Sequence, residues 1–106
     1  MSTATPIDVT DDTIQFTIES NKVVILDIWA PWCGPCKAVS PVLDQLAAEN
    51  PDITIAKLNA DESSKLAELG VRGVPTFIKY VDGVEVARKV GPANRAALQE
   101  FAAIDR

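Results

Sequence analysis

Histidine is absent from the 106-residue sequence, and this absence excludes several kinds of catalytic site at once. Without an imidazole the chain has no Cys–His or Ser–His nucleophile pair, no His-ligated zinc and no histidine proton shuttle. Its chemistry must therefore rely on thiols, carboxylates or amines. Only two cysteines are present, Cys33 and Cys36. Because a bond between them would close a very small loop, it would stabilise the fold far less than a long-range bridge.

Long apolar runs and an excess of basic residues are also absent. No stretch approaches the roughly 20 apolar residues that span a bilayer, and the first residues contain neither the basic nor the apolar part of a secretion signal. The formal net charge is -5, from 15 acidic and 10 basic residues, which is the wrong sign for binding a phosphate backbone. We therefore expect a cytoplasmic protein whose partners include neither membrane nor nucleic acid.

The length and composition are those of one globular domain. Apolar residues make up 47% of the chain and charged residues 24%, a balance typical of folded soluble proteins. We expect residues 1–106 to form a single domain, too short to carry a cofactor-binding domain beside a catalytic one. Any nucleotide or flavin in the reaction should then belong to a partner.

Strand-like and helical segments alternate along the chain. Helices are expected from Thr10, which would cap the first one, to Ser20, over residues 33–50 and 61–70, and from the cap Asn94 onward. Residues 14, 16 and 18 also alternate like a strand, but a threonine cap followed by two aspartates favours a helix there. Asp61 should cap the third helix, and Gly70 should end it. Four segments are β-rich: Val23–Trp29, Ile53–Asn59, Thr76–Val81 and Val84–Val90. The last two are joined through Asp82 and Gly83, a pair suited to a tight antiparallel hairpin. The pattern predicts an α/β fold with a mixed sheet and helices on both faces.

Cys33 and Cys36 lie where the first of these strands gives way to a helix. Residues three apart in a first helical turn share one face, so the two sulfurs can bond with little backbone movement. Cys33 would face the free N–H groups of the helix start, which favour a thiolate, and we expect it to attack a disulfide. Cys36, one turn deeper, is expected to resolve the mixed disulfide. Gly34 and Pro35 place no cation beside the thiolate, which favours a reductant over an oxidant.

Asp27 and Lys57 are two charged residues in otherwise apolar strands. Burial should raise the pKa of Asp27, so that its carboxyl group could take the proton of Cys36 as a general base. The alternative is a structural acid paired with a base. Lys57 could be that partner, or it could be a surface lysine whose ammonium extends into solvent.

Two other interpretations of the cysteines are a buried structural pair and half of a four-thiolate metal site. A single chain supplies only two thiolates, so we expect no metal. Trp32, beside Cys33, could belong to the core, but its place in a connecting turn favours an exposed docking surface.

Residues 28–37, Ile-Trp-Ala-Pro-Trp-Cys-Gly-Pro-Cys-Lys, resemble the active-site stretch of the thioredoxin family. The resemblance continues through Pro41 and through residues 57–61, 71–76 and 90–91, in the family's order. It implies a thioredoxin fold with a central mixed sheet of about five strands, the first three parallel and the last two antiparallel to them. It also implies a cis bond between Val74 and Pro75.

The same resemblance implies a groove that binds an extended substrate segment, pairing with backbone at Val74 in the manner of an added strand. The implied substrate-binding residues are Trp32, Gly34, Pro35, Gly73, Val74, Pro75 and Gly91.

By resemblance, Cys33 attacks, Cys36 resolves, and Asp27 with Lys57 assists proton transfer. The chain would then reduce disulfides in substrate proteins through a reversible Cys33–Cys36 disulfide with no bound cofactor. Electrons would come from NADPH through a flavoprotein, a thioredoxin reductase, and a monomer would suffice. The alternative function is a redox-independent protein-binding module that uses the groove around Trp32 and Pro75.

Overall fold

The computed structural model describes residues 4–105 and contains a five-stranded mixed sheet. The strands are β1 (Ile7–Val9), β2 (Val23–Trp29), β3 (Ile53–Asn59), β4 (Thr76–Val81) and β5 (Val84–Val90). The helices are α1 (Ile14–Ser20), α2 (Gly34–Glu49), α3 (Leu66–Leu69) and α4 (Arg95–Ala103), with a 3-10 helix at Ala60–Glu62. None of the helices in residues 4–105 is long and apolar enough to cross a membrane.

The sheet has the order β1-β3-β2-β4-β5, and all four strands expected from the sequence are confirmed. β1, β2 and β3 are parallel, whereas β4 pairs antiparallel with β2. The expectation that the last two strands both oppose the first three is wrong for β5. Asp82 and Gly83 have positive φ values of 52° and 81°, and their tight hairpin reverses the chain once more. β5 is therefore antiparallel to β4 and runs in the direction of the first three strands.

Helices lie in all four expected regions, but α3 is shorter than expected, with only the residues Leu66–Leu69, and two caps differ from the prediction. α1 begins at Ile14, and its N-cap is Thr13 rather than Thr10. Thr10 contributes its backbone carbonyl, which accepts the N–H groups of Thr13 and Ile14. Asp61 caps no helix, because the side chain of Asn59 accepts the Asp61 N–H at 2.9 Å and caps the 3-10 helix instead.

Two other helix boundaries agree with the sequence. Gly70 ends α3 with a left-handed φ of 71°, a conformation that glycine adopts without steric cost. Asn94 caps α4 by accepting the Ala97 N–H at 2.9 Å. The opposite end of α4 is held from the sheet, where the fully buried Lys79 of β4 donates to the carbonyls of Ala102, at 2.7 Å, and Ile104.

The sheet separates two apolar cores. The first lies between the sheet and helices α2 and α4, and its buried residues are Val23, Ile25, Val39, Leu43, Leu46, Ala47, Ile53, Ile55, Phe77, Leu98, Phe101 and Ala102. The second lies under α1 and α3, and its buried residues are Val9, Ile14, Ile18, Val24, Leu26, Ile28, Ala56, Leu58, Val71, Ile78 and Tyr80. Burial on both faces explains why β2 is almost continuously apolar.

Candidate active site

Cys33 and Cys36 form a disulfide at the start of α2, shortly after the end of β2. Cys33 is the N-cap of α2, and Cys36 lies in its first turn, with 5.3 Å between their Cα atoms. This separation lies within the usual range for disulfides. The sulfur of Cys33 also accepts the backbone N–H of Cys36 at 3.2 Å. In the reduced protein the same N–H and the helix dipole would stabilise a Cys33 thiolate.

Both cysteines are largely buried, with 5% of Cys33 and 3% of Cys36 exposed. They form a small cluster with Ala30, against which Trp29 and Val74 pack. Because the two exposures are nearly equal, burial does not distinguish the attacking sulfur from the resolving one. Their places in α2 do, since Cys33 alone occupies the N-cap, where unpaired N–H groups converge.

Asp27 is a buried carboxyl group on the strand that leads to the disulfide. Side chains two residues apart in a strand share a face, so Asp27 points to the same core as Val23 and Ile25, the one covered by α2. The residue is 1% exposed, and its Oδ1 has no hydrogen-bond partner within residues 4–105. Burial raises the pKa of Asp27 from 3.8 to about 7, against the opposing charge of Lys57.

Lys57 is the register partner of Asp27 on β3, yet no ion pair joins their side chains in the described part of the chain. Its ammonium donates to the hydroxyl of Ser40 at 3.3 Å and lies 5.1 Å from the ring centroid of Trp29. Lys57 therefore acts on Asp27 through its charge rather than through direct contact. Sequence reasoning missed Ser40, whose position one helical turn after Cys36 was the available signal.

A surface cavity of about 230 Å³ lies beside the disulfide, lined by Trp32, Ala60, Asp61, Leu66, Val71, Arg72, Gly73 and Val74. Trp32 is 70% exposed, as expected for a docking surface. Its indole Nε1–H donates to Asp61 Oδ1 at 3.1 Å, which fixes the ring to the 3-10 helix. Asp61, expected to be a helix cap, is thus part of this surface.

The remaining residues expected in the groove lie around the same corner. The peptide bond between Val74 and Pro75 is cis, and Val74 packs against the cysteine cluster. The N–H of Gly91 donates to the Pro75 carbonyl at 2.9 Å, so the end of β5 lies next to the cis bond. Gly34 and Pro35 are exposed at the start of α2. The structure therefore brings the predicted substrate-binding residues together around the disulfide.

A family model described as Thioredoxin matches residues 5–104 of the chain. The chain belongs to the thioredoxin family. A thioredoxin from Chlamydia pneumoniae is 53% identical over 80 residues, which are 74% of this chain and 78% of that protein. A thioredoxin from Mycobacterium bovis is 47% identical over 83 residues, which are 76% of this chain and 72% of that protein. The solved structure of a mutant thioredoxin from Halobacterium salinarum is 36% identical and superposes with a TM-score of 0.87, covering 96% of this chain and 91% of that one.

Family and geometry together show that this thioredoxin-family chain is a thiol–disulfide oxidoreductase with the Cys33–Cys36 disulfide as its redox-active group. The disulfide accepts and releases two electrons itself, so the exchange reaction needs no bound cofactor. Within residues 4–105, no group of three or more Asp, Glu, His or Cys residues is placed to hold a metal ion.

Proposed function

We propose that this protein reduces disulfide bonds in other proteins, with Cys33 as the attacking thiolate and Cys36 as the resolving thiol. The observation that carries the assignment is the Cys36 N–H donated to the sulfur of Cys33 at the N-cap of α2. A donor at that sulfur favours the thiolate at Cys33, and the thiolate is the form that attacks.

The reaction proceeds through a mixed disulfide. The Cys33 thiolate attacks one sulfur of the substrate disulfide, the bond from Cys33 to that sulfur forms, and the substrate S–S bond breaks. The released substrate sulfur leaves as a thiolate and takes up a proton. Cys36 then attacks the sulfur of Cys33, the second substrate sulfur leaves, and two electrons have moved to the substrate. The product on the enzyme is the Cys33–Cys36 disulfide that the structure contains.

We assign to Asp27 the role of general base, which accepts the proton of the Cys36 thiol when Cys36 attacks the mixed disulfide. A general base works best when its pKa lies near the working pH, and the pKa of Asp27 is raised to about 7. The carboxyl group faces the side of the sheet that is covered by α2, the helix that carries the buried Cys36. Lys57 limits the rise in this pKa through its charge and is itself tied to Ser40 of α2.

The groove beside the disulfide suits an extended protein segment. Trp32 offers a large exposed ring, and residues 73–75 supply backbone next to the buried sulfurs. Backbone hydrogen bonds of the strand-addition type would hold a substrate cysteine against Cys33. Because such bonds do not depend on side chains, they suit an enzyme that acts on many proteins.

We further propose that the oxidised protein is reduced by a thioredoxin reductase, a flavoprotein that takes electrons from NADPH. Membership of the thioredoxin family supports this partner. We place the reaction in the cytoplasm, with residues 1–106 working as a single domain and as a monomer. The net charge of -5 argues against nucleic acid as a further partner.

The test is to trap the mixed disulfide. Cys36→Ser should remain covalently bound to a model protein disulfide, because the resolving thiol is missing, and the adduct should be visible by mass spectrometry and non-reducing electrophoresis. Cys33→Ser is the matched control and should form no adduct. Turnover of Cys36→Ser at the wild-type rate, or an active Cys33→Ser, would show that the roles are wrongly assigned. Full biological activity of the double variant would instead favour a redox-independent binding module.

A further inference from the structure

Asp11 forms a set of hydrogen bonds with two serines more than 50 residues away in sequence. Its Oδ1 accepts the hydroxyl of Ser63 at 2.6 Å, and its Oδ2 accepts the backbone N–H of Ser64 at 2.8 Å and the hydroxyl of Ser64 at 3.0 Å. The bonds from Ser63 and Ser64 lower the pKa of Asp11, so the group is an ionised acceptor at neutral pH. Hydrogen bonds to an ionised acceptor are stronger than neutral ones.

The two serines lie in the middle of a segment whose two ends line the groove. Upstream, the N–H of Ser63 closes the 3-10 helix by donating to the Ala60 carbonyl at 3.3 Å. Downstream, the N–H of Lys65 donates to the Ser63 hydroxyl at 3.1 Å, and α3 begins at Leu66. Ala60 and Leu66 both line the 230 Å³ cavity. Residues 60–66 thus form one wall of the cavity, and Asp11 fixes the centre of this wall without lining the cavity itself.

The wall also holds the exposed ring of Trp32. Asp61, which accepts the indole N–H, lies in the 3-10 helix that ends one residue before Ser63. A shift of the segment would move Asp61 and release Trp32 from the only hydrogen-bond partner that its indole has in the described residues. The anchoring of the serines and the orientation of Trp32 are thus mechanically connected.

We propose that Asp11 is a positioning residue for the substrate groove, acting through Ser63 and Ser64 on the wall that carries Asp61 and orients Trp32. This inference rests on the proposed function, because it assumes that protein substrates bind in the groove. It assigns Asp11 no part in the sulfur chemistry, since the residue touches neither cysteine. Losing Asp11 should therefore weaken binding of protein substrates and leave the reactivity of Cys33 intact.

The experiment compares Asp11→Ala with Asp12→Ala. Asp12 is a neighbouring exposed carboxylate whose side chain makes no hydrogen bond within residues 4–105, so its removal controls for the lost charge. For Asp11→Ala we expect KM for a protein disulfide to rise about fivefold, which corresponds to about 1 kcal/mol, with kcat nearly unchanged. The rate with a small aromatic disulfide, which does not fill the groove, should equal that of wild type. The indole N–H signal of Trp32 should shift and exchange faster in the NMR spectrum.

The outcomes separate this inference from the proposed function. Trp32→Ala is measured in parallel as the test of the groove. If Trp32→Ala raises KM but Asp11→Ala does not, the positioning role of Asp11 is refuted and the groove stands. If neither variant alters KM, protein substrates do not use the groove and both ideas fail. A KM increase shared by Asp12→Ala would mean that charge, not the serine contacts, is responsible. Asp11→Asn and the Ser63→Ala/Ser64→Ala double variant provide folded alternatives and should reproduce the rise in KM.

Discussion

Removing the carboxyl group of Asp27 should make the fold more stable at neutral pH, by an amount that shrinks as the pH falls. Burial raises the pKa of this group from 3.8 to about 7. One pKa unit corresponds to about 1.36 kcal/mol, so holding the ionised carboxylate in the folded protein costs about 4 kcal/mol. Asp27→Ala recovers this cost, less the penalty for the space that the smaller side chain leaves.

The sign follows from proton linkage. Because the folded pKa lies above the unfolded value, the folded protein retains a proton that the unfolded chain releases between pH 3.8 and about 7. The unfolding free energy of the wild type is therefore highest, as far as this group is concerned, below the unfolded pKa. It falls as the pH rises through the folded pKa. Relative to wild type, Asp27→Ala and Asp27→Asn should therefore gain about 2.5 kcal/mol of unfolding free energy between about pH 5 and about pH 8.

The assay is urea unfolding of the oxidised proteins, followed by tryptophan fluorescence across this pH range. Oxidation keeps the cysteines from titrating, and the costs of a cavity or a buried amide are nearly independent of pH, so both variants should show the same increase. A difference from wild type that stays constant with pH would refute the raised pKa. The same variants should reduce protein disulfides more slowly, and an unchanged rate would show that Asp27 is a buried acid with no role in proton transfer.

Two further substitutions test the roles of Lys57 in β3 and Lys79 in β4. Lys57→Met removes the charge that lowers the pKa of Asp27, so that pKa should move above about 7; carboxyl-carbon NMR titration measures it, and an unchanged or lower value would contradict the coupling. Lys79→Met removes the donor to the carbonyls of Ala102 and Ile104. It should lower the unfolding free energy by about 1–3 kcal/mol while the folded protein keeps its activity, and equal stability in urea would contradict the role of this contact.

The strands and hairpin were predictable because their signals are local. β2 and β3 are short, largely apolar runs rich in β-branched residues, which is typical of strands in the centre of a sheet, and Asp82–Gly83 fits the positive φ values of its turn. β1 was missed because it has three residues, of which Ile7 and Asp8 are exposed, and so shows no periodicity. The capping residues were misjudged where several Thr, Asn and Asp residues stand close together, since each type can cap a helix.

The candidate site likewise contains residues that local patterns predict and contacts that only the folded chain reveals. Cys33 and Cys36 follow from spacing and from their place at a helix start, and Asp27 follows from a charge inside an apolar strand. The contacts of Ser40 and Asp11 join residues 17 and 52 or more positions apart, which no local pattern encodes. The charge of Lys57 suggested a partner, but only the folded arrangement shows that its ammonium contacts Ser40 and Trp29.

The partition of the interior by the sheet has a consequence for how such a protein can change. Helix α2, which bears the two cysteines, rests on one core, whereas Ala60 and Leu66, beside the groove, rest on the other. Val74 packs against both the second core and the cysteine cluster and so connects the two. Apart from Val74, substrate recognition and electron transfer therefore depend on different packing layers. Substitutions in the core under α1 and α3 can therefore change which proteins are recognised, while the packing beneath α2 and its two cysteines stays the same.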